Sequence, residues 1–235
     1  LNEPLALTVV DGKPERIWLN KKAKMSKKLR GIEKAFPGYY VTIASSSRDD
    51  AEIVLYVRSD KDPGGFYIFN TETNELKDLG MNTRGWIKSE EMTEMEPISF
   101  KARDGLEING YLTRPKSKKE NLPMVMFVHG GPHGVRDYWR YDSQVQFLAN
   151  RGYAVMQLNY RGSGGYGMDF LEAGFLNWGT TMQDDLTDGA EWAIDNGIAN
   201  RNRLCIYGAS YGGYAALMSV VREPDLYQCA IGYVG

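Results

Sequence analysis

Ser210 lies in the pentapeptide Gly208-Ala209-Ser210-Tyr211-Gly212, which has the Gly-x-Ser-x-Gly pattern of a serine nucleophile on a tight turn. The apolar run before it, RLCIYG, predicts a buried strand, and the run that follows, SYGGYAALMSVVRE, predicts a helix. Such a turn strains the serine backbone, and its glycines let the strand and the helix approach each other closely. We therefore predict that Ser210 is a nucleophile; the alternative is an ordinary glycine-rich turn.

A second glycine-rich segment, VHGGPHG, covers residues 128–134 and ends another apolar run. When a serine attacks a carbonyl group, the carbonyl oxygen becomes negatively charged and needs N–H donors. One donor comes from the residue after the nucleophile, here Tyr211, and the other from the loop after an earlier strand. Gly131 is the best candidate for the second donor, because a glycine lets the backbone turn towards the substrate. The segment thus predicts an oxyanion hole; the alternative is a tight turn with two incidental histidines.

A serine hydroxyl also needs a base that accepts its proton, and the chain has only two histidines, His129 and His133. Both lie in the VHGGPHG segment, where the backbone N–H groups are the useful donors. We therefore expect neither histidine to serve as the base of Ser210.

Three other patterns have simpler interpretations. Residues 162–167 satisfy Gly-x-Gly-x-x-Gly, but the next residues lack a clean helical face, which favours a loop over a substrate cleft against a dinucleotide site. Acidic residues begin a predicted helix, where they complement its dipole: Asp184, Asp185 and Asp188. Arg161 is expected to be an ion-pair partner, with a substrate contact as the alternative. No Cys/His cluster is present, so we expect no metal site and no cofactor.

Composition excludes several classes of partner. The formal net charge of −2 and the absence of an apolar run of about 18 residues argue against nucleic acid and membrane partners. One basic run is interpreted as a solvated loop or helix: Lys21, Lys22, Lys24, Lys27, Lys28 and Arg30. Cys205 and Cys229 lie in apolar runs and are predicted to be two buried free thiols, with a disulfide as the alternative. We predict a cytoplasmic protein, with the periplasm as the alternative.

The two halves of the chain differ in their patterns. Residues 1–95 contain short runs rich in β-branched and aromatic residues between turn clusters, which predict an all-β antiparallel meander, as in a propeller blade. Residues 96–235 begin with a strand pair around Asp104-Gly105 and then alternate buried strands with helical segments. This alternation predicts an α/β domain with a mainly parallel sheet.

Four motifs follow one another in the second half: FVHGGPHG, NYRGSGGYG, WGTTMQDDLTDGAEWAIDNG and CIYGASYGGYAAL. Together they resemble the serine peptidases of the prolyl oligopeptidase family, above all its acylaminoacyl-peptidase and dipeptidyl-peptidase-like branches. The resemblance implies an α/β-hydrolase fold, with Ser210 as the nucleophile and the N–H groups of Tyr211 and Gly131 as the oxyanion hole. It also implies short peptide substrates, and with weaker motifs it relates residues 1–95 to the last blades of the family's β-propeller.

The sequence departs from the family pattern after Ser210. The family's acid and base come later in the chain, after the seventh and eighth strands, whereas about six strands precede Gly235 here. Asp225, the only aspartate after Ser210, falls in the wrong loop for the acid, and no histidine follows. We therefore expect an internal piece of a longer peptidase, with an incomplete α/β-hydrolase fold that lacks its last strands and is inactive by itself.

The predicted function is a serine-type peptidase that hydrolyses short peptides through an acyl-enzyme on Ser210. The alternatives are an esterase or thioesterase on the same scaffold and a catalytically incomplete module with a structural role. A sheet that ends at the sixth strand exposes the apolar edge CAIGYVG. Because exposed edges pair with other strands, this edge predicts self-association or complementation by another segment.

Overall fold

The computed structural model describes residues 4–80 and 85–235. It divides into two compact units, of which the first comprises Leu1–Met92 with Trp139–Asp142 and the second comprises Thr93–Tyr138 with Ser143–Gly235. The short segment Trp139–Asp142 thus groups with the first unit, although it lies within the second half of the sequence. The division into domains at residues 95 and 96 stays a prediction.

In its described residues, the first unit contains two antiparallel sheets and one helix. Its elements in chain order are β1 (Ala6–Asp11), β2 (Lys13–Trp18), α1 (Lys24–Ala35), β3 (Tyr40–Ser46), β4 (Glu52–Arg58), β5 (Gly65–Asn70) and β6 (Leu76–Asp78). β1 pairs with β2, and β3 to β6 form a four-stranded sheet in which sequence neighbours are also spatial neighbours. The predicted meander is therefore confirmed.

The prediction that this half is all-β was wrong, because α1 occupies most of the basic run. Leu29 and Ile32 lie on one face of α1 and are buried in the same apolar cluster as Ile53 and Leu55 of β4. Their three-residue spacing follows the helical repeat. The many lysines around these two residues obscured that period in the sequence.

The second unit contains a six-stranded mixed sheet. Its elements in chain order are β7 (Met95–Lys101), β8 (Glu107–Thr113), β9 (Leu122–Val128), α2 (Ser143–Ala149), β10 (Ala154–Asn159), α3 (Met168–Glu172), α4 (Thr181–Asp195), β11 (Ala199–Ala209), α5 (Tyr211–Arg222) and β12 (Cys229–Tyr233). The strand order is β12-β11-β9-β10-β8-β7. The leading hairpin and the alternation of strands and helices are confirmed. The short helix α3 lies where only a loop was expected.

The sheet brings the carboxyl ends of β9 and β11 together at one edge. β9 pairs in parallel with both β10 and β11, so the chain leaves β9 towards one side and later returns on the other. Ligands of open α/β sheets bind at such a switch point, beyond the carboxyl ends of the strands. Val128 at the end of β9 lies opposite Gly208 of β11, so the segments after both strands emerge at the same edge.

The prediction of two buried free thiols was wrong. Cys205 and Cys229 face each other in the parallel pair β11–β12 with their Cα atoms 4.7 Å apart, and they form a disulfide. Cys205 is half-buried and Cys229 is exposed. β12 is the outer strand of the sheet, and the apolar side chains of Ile231 and Tyr233 are exposed as well. The exposure of Cys229 agrees with the apolar edge expected at CAIGYVG, which the prediction of buried thiols left out of account.

Alkylation tests the disulfide. In the denatured but unreduced protein we expect iodoacetamide to leave the Cys205 and Cys229 peptides unmodified, because a disulfide has no thiolate to react. After reduction both peptides should be modified, as read by mass spectrometry. A Cys229→Ser variant is the control, since its Cys205 should react without reductant. Full modification of both cysteines without reductant would contradict the pairing.

A buried ion pair joins the loop after β10 to α4. Arg161 donates from its backbone N–H, Nε and Nη2 to the Asp185 carboxylate at 2.7–2.9 Å, and from Nη1 to Asp104 at 2.7 Å. The side chains of Arg161 and Asp185 are 7% and 0% exposed, which makes the charge of each dependent on the other. The prediction of an ion-pair role for Arg161 is confirmed. Asp185 serves as its partner rather than only as a complement to the helix dipole.

We expect Arg161→Met to destabilise the protein by about 3–5 kcal/mol, because it leaves the Asp185 carboxylate buried without a cation. The double variant Arg161→Met/Asp185→Leu should recover most of this loss. The control is Arg103→Met, which removes a half-exposed arginine paired with Asp184 and Asp188 and should cost less than about 1 kcal/mol. Urea unfolding measures all three variants. Equal losses for Arg161→Met and Arg103→Met would refute the special role of the buried pair.

Among the described residues, no helix has the length and apolar character that crossing a membrane requires.

Candidate active site

Ser210 occupies the sharp turn between β11 and α5. Its φ of 57° and ψ of −127° lie in a region that residues with a Cβ atom rarely adopt, at a cost of about 1–3 kcal/mol. Three backbone hydrogen bonds hold it there: Ser210 N–H donates to Tyr233 O, and Ser210 O accepts from Gly213 and Tyr214. Ser210 is an exposed residue. The strained backbone that the Gly-x-Ser-x-Gly pattern predicts is present.

Close backbone contacts leave room only for glycine at both glycine positions of the motif, Gly208 and Gly212. A Cβ atom on Gly208 would lie 2.4 Å from the carbonyl group of Gly212, and one on Gly212 would lie 2.1 Å from Val128 O. Both distances are far inside van der Waals contact with backbone atoms. Any side chain at either position would push α5 away from β11 or from the end of β9. The glycines therefore fix where the Ser210 hydroxyl is presented.

The segment after β9, residues 129–136 and hereafter the oxyanion loop, passes beside Ser210. A Cβ atom built on Gly130 would lie 3.3 Å from Ser210 Cβ and 3.8 Å from its Oγ. Gly131 is exposed and has a φ of 123°, a conformation strained for residues other than glycine. Tyr211 is the first residue of α5, so its N–H has no carbonyl partner within the helix. The structure thus brings together the segments of all three predicted site residues.

The side chain of Tyr211 belongs to the core and not to the site. Its hydroxyl donates to Met182 Sδ at 3.9 Å, and its ring packs against Tyr160 and Trp178. Burial raises the pKa of the Tyr211 hydroxyl well above its ordinary value, so the group stays protonated at neutral pH. Only the backbone N–H of Tyr211 is therefore suited to bind a developing oxyanion.

His129 holds the start of the oxyanion loop. Its ring stacks on Tyr160 at 4.4 Å, its Nδ1 lies 2.8 Å from Gly130 O, and its Nε2 lies 3.0 Å from Ser163 Oγ. The Tyr160 hydroxyl donates to His129 O at 2.9 Å. Sequence reasoning gave this histidine no role, and no local signal could have revealed one, because Tyr160 and Ser163 lie 31 and 34 residues further along the chain.

Neither histidine is hydrogen-bonded to Ser210 in the described part of the chain. Both ring nitrogens of His129 face other groups, and burial lowers the pKa of this imidazole to about 4, which makes it a weak base. Nε2 of His133 accepts from Trp178 Nε1 at 3.3 Å, and its ring meets the edge of Phe175. These contacts agree with the expectation that neither imidazole is the base.

The environment of His129 predicts a pH dependence of stability. Its pKa in the folded protein is about 4, below the ordinary 6.5, so the unfolded chain binds a proton first as pH falls. Stability is therefore fully present above about pH 6.5 and is lost progressively down to about pH 4. We expect this loss to be about 3 kcal/mol, as a pKa shift of this size implies.

The measurement is urea unfolding at several pH values between 4 and 7. We expect His129→Gln to reduce the change in the free energy of unfolding between pH 7 and pH 4, whatever its effect on stability at pH 7. The control His133→Gln should keep the pH dependence of the wild type. An unchanged slope in His129→Gln would show that this ring is not the cause.

No group of three His, Cys, Asp or Glu side chains in the described ranges is arranged to hold a metal ion.

These features define a class of protein. A sheet that reverses its winding at β9, a strained serine between β11 and α5, and a glycine-rich loop after β9 together make an α/β-hydrolase fold with a nucleophile elbow. In the first unit, the antiparallel meander β3–β6 has the arrangement of a propeller blade. The fold class predicted from the sequence is confirmed.

Comparison with known proteins identifies the family. Residues 139–235 match the family model described as the prolyl oligopeptidase family. Dipeptidyl aminopeptidase BIII of Pseudoxanthomonas mexicana is 34% identical over 88% of the chain, and dipeptidyl peptidase family member 6 of Caenorhabditis elegans is 31% identical over 98% of it. The crystal structure of a puromycin hydrolase matches 81% of the chain with a TM-score of 0.69 and 28% identity. The chain therefore belongs to the prolyl oligopeptidase family, as its motifs predict.

The chain is much shorter than these proteins. It covers 31% of the Pseudoxanthomonas mexicana protein, 34% of the Caenorhabditis elegans protein and 29% of the puromycin hydrolase chain. It thus spans about a third of the length of the curated relatives that it matches.

Proposed function

We propose that this chain carries the nucleophile and the oxyanion hole of a serine peptidase that hydrolyses short peptides. The observation that carries the proposal is the exposed, strained Ser210 beside the oxyanion loop, in a chain of the prolyl oligopeptidase family. The names of the two relatives, a dipeptidyl aminopeptidase and a dipeptidyl peptidase, favour cleavage of amides over cleavage of esters.

In the proposed reaction, Ser210 Oγ bonds to the carbonyl carbon of the scissile peptide while its proton passes to a base. The carbonyl oxygen becomes an oxyanion that accepts hydrogen bonds from the N–H groups of Tyr211 and Gly131. The carbon–nitrogen bond then breaks, and the base returns its proton to the leaving amine. Water attacks the acyl-enzyme in the same way, which releases the carboxylic acid and restores the Ser210 hydroxyl.

The base in this proposal is a histidine outside these 235 residues. His129 is committed to Gly130 and Ser163, and His133 accepts a hydrogen bond from Trp178. The position of Ser210 at the carboxyl edge of the sheet leaves its hydroxyl accessible to another segment of the intact protein. Without such a base, only binding and the oxyanion hole would contribute to catalysis.

An active-site probe tests the nucleophile. We expect a fluorophosphonate to label the intact protein at Ser210, and Ser210→Ala to abolish the label and lower peptide turnover by about 10³-fold or more. The control Ser99→Ala removes an exposed hydroxyl on β7 and should change neither. Tandem mass spectrometry of the labelled peptide locates the adduct. Labelling that survives in Ser210→Ala would rule out this serine as the nucleophile.

Substrate comparison separates the remaining alternatives. Turnover of dipeptide and acyl-amino-acid anilides should exceed background and depend on Ser210. Labelling of Ser210 with cleavage of esters but not of amides would favour an esterase or thioesterase. No labelling of the intact protein would favour a module without catalytic function.

A further inference from the structure

We propose that residues 162–167, hereafter the glycine segment, are a positioning element that sets where the oxyanion loop places the Gly131 N–H. This inference rests on the proposed function, because it assigns a role within the same site. The glycine segment matches a dinucleotide-binding pattern in the sequence, but in the fold it is hydrogen-bonded to the oxyanion loop. Tyr166 and Gly164 are its central residues.

The glycine segment and the oxyanion loop are joined backbone to backbone. The Gly134 N–H donates to Gly162 O at 3.0 Å, and the Gly164 N–H donates to Val135 O at 3.1 Å. Both bonds lie beyond the ends of β9 and β10, where the ladder of the sheet no longer holds the chain. The oxyanion loop therefore depends on the glycine segment for its position.

Gly164 allows this approach. A Cβ atom at position 164 would lie 2.3 Å from Gly134 O and 2.9 Å from the Gly134 carbonyl carbon. These are backbone atoms, which cannot turn aside as a flexible side chain can. An alanine at position 164 must push the loop away, and Gly131 lies only three residues before Gly134.

A side-chain contact fixes the far end of the loop. Arg136 is 6% exposed, its guanidinium lies 4.3 Å from the centre of the Tyr166 ring, and its Nη2 donates to the Tyr166 hydroxyl at 2.7 Å. Asn159 Nδ2 donates to the same hydroxyl at 2.8 Å, while Asn159 Oδ1 accepts from the Asp137 N–H at 2.7 Å. One phenolic oxygen thus accepts hydrogen bonds from the end of β10 and from the oxyanion loop.

The position of the Gly131 N–H determines how well it can stabilise the developing oxyanion. An oxyanion donor is effective only when it lies about 2.7–3.1 Å from the developing charge, and a displacement of about 1 Å costs on the order of 10²-fold in rate. Binding of the substrate before the reaction depends less on the Gly131 N–H, because the carbonyl oxygen does not yet carry the developing charge. Loosening the loop should therefore lower kcat more than it raises KM.

Two variants test the positioning role in the intact protein. Tyr166→Phe keeps the ring over Arg136 but removes the shared hydroxyl, and we expect kcat to fall about 10-fold with KM within about twofold. Gly164→Ala should lower kcat by about 10²-fold. Tyr138→Phe is the matched control for the first, because the exposed Tyr138 ring also lies over Arg136, at 5.0 Å. Gly31→Ala, where an added Cβ meets nothing within 4 Å, is the control for the second.

A transition-state analogue separates positioning from general loss of structure. A peptide aldehyde adds to Ser210 Oγ and places its oxyanion in the hole, so its affinity should fall by the same factor as kcat/KM. The affinity of a cleaved peptide product, which makes no oxyanion, should stay within about twofold of wild type. Equal losses for aldehyde and product would overturn the positioning role.

Amide hydrogen exchange tests the same inference without activity. The Gly134 N–H should exchange at least about 10-fold faster in Gly164→Ala than in wild type, and peptides covering residues 129–136 should lose protection in both variants. Unchanged exchange and unchanged kinetics would refute the inference. A wild-type protein that neither cleaves peptides nor binds the aldehyde would refute the proposed function instead, while the exchange result would still decide whether the glycine segment holds the loop.

Discussion

The parallel pairing of β9 with β11 is the constraint on which the site depends. It places Val128 opposite Gly208, so that the oxyanion loop and the Ser210 turn leave the sheet side by side. Helix α5 can begin so close to these two strands only because Gly208 and Gly212 carry no side chains. A single register thus decides where Ser210 lies and which backbone segments lie beside it.

Beyond the strand ends, the site depends on polar contacts within the second unit. His129 stacks on Tyr160 and reaches Ser163, while Arg161 lies buried against Asp185. A buried polar or charged group destabilises the fold when it has no partner. If one loop moved without the other, these hydrogen bonds and this ion pair would break and leave buried groups unpaired. The loops that follow β9 and β10 therefore form one connected support for the residues near Ser210.

This support gives a physical reason for the family motifs. HGGPHG supplies the oxyanion loop, NYRGSGGYG supplies its neighbour across the backbone hydrogen bonds of Gly134 and Gly164, and GASYGG supplies the elbow. Four of the ten glycines in these motifs lie where another backbone approaches too closely for a Cβ atom: Gly164, Gly208, Gly212 and Gly213. The surroundings of one serine thus involve residues spread over some eighty positions of the chain.

The sequence by itself determined the strand–turn–helix around Ser210, the glycine-rich segment after β9, the alternation of the second unit and the family, because these depend on local patterns and motif order. Tertiary structure alone decided the rest. The helix α1 was missed because its apolar face is only a few residues wide among many lysines. The pairing of Cys205 with Cys229 depends on which strand neighbours β11, and the contacts of His129 depend on residues more than thirty positions away. Such long-range proximity is set by the packing of the whole sheet, which no local pattern encodes.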